Sequence, residues 1–156
     1  LVRKAVALLE ILVNKQVQQT TQEKQANTSS TSQTLFNLKL LAYERIILFI
    51  ERIKPDSFIP RTLSPSLPYQ EYQLLLINEI RKEFEYNLSQ QLYLSENAWE
   101  VTVNFKDNII TLINSAATSC PPQATAGDLA RKILEHYISS DLKGDQISKI
   151  VKAEIQ

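Results

Sequence analysis

The sequence predicts an all-α fold, an antiparallel helical bundle of about five to six helices with a loosely attached N-terminal amphipathic helix. Composition and pattern carry that expectation. The 156 residues include only two glycines and are 44% hydrophobic. The long segments repeat their apolar residues near the 3.6-residue period, and none alternates with period two over a sustained run. This length suits one domain able to bury a real core.

In residues 1–26, Val2, Ala5, Val6, Leu9, Leu12, Val13 and Val17 recur at helical spacing and predict an amphipathic helix. Glu10 interrupts the apolar run 5–13, which follows Arg3 and Lys4, so it falls far short of the roughly 20 residues a bilayer span requires. Residues 27–34 lie in a polar, low-complexity stretch, 18–34, that reads as a flexible connector or a fraying helix end, leaving 35–156 as the bundle.

The element expected at the centre is 38–54, LKLLAYERIILFIERIK. Leu35, Leu38, Ala42, Ile46, Phe49 and Ile53 fall in one stripe, with Leu40, Leu41, Ile47 and Leu48 on its flanks. A helix apolar nearly all round is expected to be buried. Arg45 and Arg52, one heptad apart, have no intrahelical carboxylate three or four residues from Arg45. Either they lay their stems on apolar neighbours with the heads in water, or a partner comes from another helix. Glu83 is the expected partner of Arg45.

Pro55 ends the central helix, and 56–68, with three further prolines, reads as a stiff loop in which Ser66 is a candidate cap. A third helix is expected over 69–93, with Leu76, Ile77, Ile80, Phe84 and Leu88 inward. Glu83, Asn87 and Gln91 share the core-facing side, so with Arg45 and Arg52 they form an expected polar core. Ser95 is the expected cap of a fourth helix, whose stripe is Ala98, Val101, Phe105, Ile109, Leu112 and Ala116. Trp99, Val103 and Ile110 give it a second apolar edge. Leu129, Ala130, Ile133, Leu134 and Tyr137 mark a fifth helix, and Ile147, Ile150, Val151 and Ile155 a sixth opened near Asp145.

The chain shows no recognisable catalytic machinery, and the expected class is non-enzymatic. Formal charge is zero, with 17 basic and 17 acidic residues, which argues against a nucleic-acid partner. A carboxylate-bridged metal pair needs Glu-x-x-His, but Ile133 stands three residues before the single His136, so neither metal nor cofactor is expected. Phosphate loop, zinc cysteine pairs and nucleophile elbow are all missing. Cys120 is alone, excluding an intrachain disulfide framework and permitting a reducing compartment. With no Met even at residue 1, the chain is expected to be a fragment or processed form.

The segments Ala42-Tyr43-Glu44-Arg45 with Glu51-Arg52, and Glu83-Phe84-Glu85-Tyr86-Asn87-Leu88-Ser89-Gln90-Gln91-Leu92-Tyr93, resemble those of a Bacteroidota protein family of unknown function. The resemblance covers about 38–156. It implies a helical domain behind an N-terminal membrane span and supplies no catalytic or ligand residues. Arg3, Lys4 and Glu10 depart from a span, so the tether would lie upstream of Leu1 or be lacking. The expected location is cytoplasmic, at the inner face of the inner membrane if tethered.

These readings lead to an interaction or scaffold domain. Val2, Val6, Leu9 and Val13 are expected to pack on a second copy or a protein partner, or else to fold back on Trp99, Val103 and Ile110. The rival is a small-molecule or lipid-binding bundle with its site around Glu83.

Overall fold

A computed structural model describes residues 2–142 and 144–155, with backbone alone for 144–146. Six α-helices follow in order: α1 Val2–Ile53, α2 Pro55–Thr62, α3 Tyr69–Tyr86, α4 Glu96–Thr118, α5 Ala126–Ser139 and α6 Gly144–Ala153. A 3-10 helix, Leu88–Tyr93, lies between α3 and α4. Among the described residues there is no named strand, and the chain is all-α as its periodicity predicts. The side chain of Asp145, the expected opening of the last helix, lies outside the described residues.

The chain divides into two compact units, Leu1–Leu38 and Lys39–Gln156. In the first, residues 27–34 are helical where a connector was expected. No glycine or proline occurs before Pro55 to break the ladder. The threonines that made the stretch look loop-like satisfy themselves within the helix: Thr20, Thr21, Thr28, Thr31 and Thr34 each donate a hydroxyl to the carbonyl four residues back. Every described residue before Ala42 is exposed.

In the second unit, α1 buries Ala42, Tyr43, Ile46, Phe49, Ile50 and Ile53, one face rather than the whole circumference. Leu40, Leu41 and Leu48 stay exposed, which corrects the expected all-round burial. Pro55 stops α1 as expected and opens α2, in a stretch whose prolines suggest loop. Proline is well suited to a first helical turn, and burial of Phe58 and Ile59 offsets the bond lost at Pro60. Pro68, not Ser66, stands at the N-cap of α3, without a side-chain bond.

Helices α3, α4 and α5 pack pairwise on one another, α2 rests on α5, and α6 on α4. An isolated bridge pairs Pro68 with Thr125, so Tyr69 N–H bonds Ala124 O at 3.1 Å and Ala126 N–H bonds Leu67 O at 2.7 Å. The starts of α3 and α5 are thereby fixed together. Thr125 and Asp128 close a capping box on α5. Inside, Tyr72 shares a 2.9 Å hydrogen bond with Thr62, and burial raises its phenol pKa. Val101 is half-buried where the core was expected, and Thr102 takes the buried position, its hydroxyl on Ala98 O at 2.7 Å. Leu88, also expected inward, is exposed, as is Ile150 on α6.

Candidate functional site

An open groove of about 640 Å³ lies in the second unit between α1 and the C-terminal half of α3. Arg45, Leu48 and Arg52 line it from α1, and Glu79, Lys82, Glu83 and Tyr86 from α3. The groove exists because the last turns of α1 face α3 through Phe49 while the next positions round α1 are left bare. Phe49 meets Phe84 at 6.0 Å between ring centroids, and Phe84 stacks on Trp99 at 5.3 Å. Lys106 Nζ lies 4.1 Å above the Phe84 ring, so an aromatic column capped by a cation backs the site. Trp99, part of the second apolar edge expected on the fourth helix, is covered in this way.

The ion pair across the groove is not the expected one. Arg52, rather than Arg45, holds Glu83: its Nε and Nη2 donate to one carboxylate oxygen at 3.0 and 2.6 Å. Arg61 Nη1 stands 3.8 Å from the same oxygen. The hydrogen bond to Glu83, then its charge, raise the Arg52 pKa, and Glu79 adds to this. Arg45 is exposed, one heptad too far along α1 to reach Glu83, and makes no hydrogen bond or ion pair among the described residues.

Gln91 also leaves the expected polar core, and Asn87 stays beside Glu83 as a helix cap. Helix α3 stops at Tyr86, Asn87 becomes its half-buried C-cap, and its side-chain amide donates to Glu83 O at 2.8 Å. The 3-10 helix that follows turns Gln91 to the exterior. Of the five residues assigned to that core, the structure brings Arg52, Glu83 and Asn87 together.

Two further polar clusters gather around Glu51 and Glu154. Lys54 is 5% exposed and bonds both oxygens of Glu51 at 2.9 Å, while buried Ser148 donates to the same carboxylate at 3.1 Å. Glu154 accepts bonds from Tyr43 at 3.2 Å, from Asn97 at 2.7 Å and from the Ser95 hydroxyl. These bonds, Ser95 first, hold its pKa below the usual carboxylate range. Ser95 caps α4 as expected, accepting from Ala98 N–H at 3.0 Å, and its own N–H bonds the Tyr43 hydroxyl at 3.2 Å.

His136 is half-buried beside a shallower depression bounded by Asn108, Ser115 and Ser140. Among the described residues, no three His, Cys, Asp or Glu side chains gather to hold a metal ion. Among them, too, no helix is long and apolar enough to cross a membrane. Val2, Val6, Leu9 and Val13 are 78, 48, 61 and 55% exposed.

A family model described as a family of unknown function (DUF7935) matches residues 2–156. No curated protein and no solved structure matches the chain.

Proposed function

We propose, for this chain, which belongs to the DUF7935 family of unknown function, a non-enzymatic helical interaction domain whose N-terminal helix associates with protein, first of all with a second copy. The observation that carries this reading is the row of exposed aliphatic side chains, among them Val2, Val6, Leu9 and Val13, on a helical unit whose every described residue is exposed. Helices draw most of their stability from packing an apolar face, and the described residues of this unit bury none. Its stretch 27–34, rich in Thr and Ser, adds little helix propensity. A protein surface over the stripe supplies what is missing.

Light scattering over a range of concentrations, with the full chain and with a chain lacking residues 1–33, tests this. The expected result is mass that rises with concentration for the full chain and stays monomeric after deletion. Monomers in both cases, with a bundle that unfolds on deletion, would overturn it.

The resemblance to Bacteroidota proteins supports a tether upstream of Leu1, which would hold the domain at the cytoplasmic face of the inner membrane. A second reading, a small-molecule or lipid-binding bundle, is favoured by the groove beside Glu83. It stands second because that groove is open, whereas small-ligand sites enclose most of the ligand surface.

A further inference from the structure

We infer that a second copy of the chain fills the groove between α1 and α3. Residues 3–17 of one protomer lie antiparallel along the exposed stripe 38–52 of its partner, and Glu10 meets Arg45. This rests on the self-association reading above and specifies its surface.

Both halves of the contact carry exposed apolar side chains. Around the groove, Leu41, Leu48 and Tyr86 are 45, 59 and 78% exposed; on the incoming segment, Val6, Val13 and Val17 are 48, 55 and 58% exposed. The register matches as well. Exposed positions Leu38, Leu41, Arg45, Leu48 and Arg52 are spaced three and four residues apart, as are Arg3, Val6, Glu10, Val13 and Val17. That is the seam spacing of paired helices.

Direction follows from what each alignment places together. Run antiparallel, Val17 falls by Leu38, Val13 by Leu41 and Val6 by Leu48, with Glu10 against Arg45 between them. Run parallel, Arg3 falls on Leu38 and Val17 on Arg52, setting charge against aliphatic surface at both ends. The contact can be reciprocal, each copy giving a segment and a groove, as in an isologous dimer.

Charge complementarity fixes the centre. Neither Glu10 nor Arg45 makes an ion pair among the described residues, and covering either with a helix requires a counter-charge. At the far end Arg3 approaches Arg52, which is already held by Glu83 with Glu79 nearby, so the incoming cation meets carboxylates as well.

Sedimentation equilibrium on the full chain tests the contact by charge reversal. Glu10→Arg and Arg45→Glu should each raise the dimer dissociation constant about tenfold or more, and the two together should restore most of the affinity. Both sites are exposed, and circular dichroism is the check that each variant keeps its helix content. A double variant as weak as the singles, or singles with wild-type affinity, would overturn this docking. If the chain dimerises and deletion of residues 1–33 abolishes the dimer, yet the reversals are silent, self-association stands and this groove is not its surface. A wild-type chain that stays monomeric overturns both.

Discussion

Arg52→Ala and Glu83→Ala, singly and together, give the most direct energetic test of the groove. An exposed ion pair contributes about 0.2–1 kcal/mol, whereas breaking a fully buried one costs about 3–5 kcal/mol. This pair lies between: the Glu83 side chain is 20% exposed and that of Arg52 43% exposed, so solvent screens the arginine well and the glutamate poorly. Removal of Arg52 leaves the more buried charge with only Arg61, 3.8 Å away. Removal of Glu83 leaves two guanidinium groups that water can reach. The expected losses are about 1.5 kcal/mol for Arg52→Ala and about 1 kcal/mol for Glu83→Ala, with a coupling near 1 kcal/mol between them. Urea denaturation of dilute protein measures all three, and 1 M salt should shrink the coupling. Arg45→Ala is the control and should change stability by less than about 0.5 kcal/mol under the same conditions. Additive losses at Arg52 and Glu83, or a coupling between Glu83 and Arg45 instead, would refute this account of the site.

Ile46, fully buried on α1, should cost about 2–5 kcal/mol when changed to Ala, read from the shift in denaturation midpoint. Thr102→Val should be close to neutral in thermal unfolding, since the lost hydroxyl bond goes to a carbonyl within its own helix and the replacement has the same shape. The Glu154 pKa lies below its unfolded value, so its contribution is complete above the ordinary carboxylate range and is lost as pH falls through the folded pKa. Amide protection at the start of α4 should therefore decline in acid in the native chain, and decline less in Glu154→Gln. Equal pH profiles would remove Glu154 from the interaction.

The buried face of α1 is legible because Ala42, Ile46, Phe49 and Ile53 repeat at helical spacing and no polar residue breaks the row. Arg45, the arginine expected to need an off-helix partner, makes no hydrogen bond or ion pair among the described residues, while the meeting of an α1 arginine with Glu83 is legible. The choice between Arg45 and Arg52 is not, since a heptad places both on nearly the same side. What decides it is how the chain travels from Ile53 to Tyr69, and the prolines of that stretch disguise the helical turns of α2 as loop. Residues 27–34 mislead for another reason: composition suggests a linker, while unbroken backbone donors and threonine back-bonds keep the helix going. The stripes on α4 and α5 read correctly at Phe105, Ile109, Leu129 and Ile133. Lys54 and Glu51 are neighbours on the chain, but Ser148 on Glu51, and Tyr43, Ser95 and Asn97 on Glu154, come from positions far apart, and no local periodicity encodes those meetings.

The bond between Tyr43 and Glu154 spans 111 residues and shares its tyrosine with the Ser95 backbone. For a chain made from its N-terminus on the ribosome, the first helix of the bundle must wait for almost all the rest before its hydroxyl finds that carboxylate. Domains emerging during synthesis fold as units once their last contacts are available. Until Glu154 emerges, the Ser95 hydroxyl lacks this acceptor and α6 has not yet settled on α4.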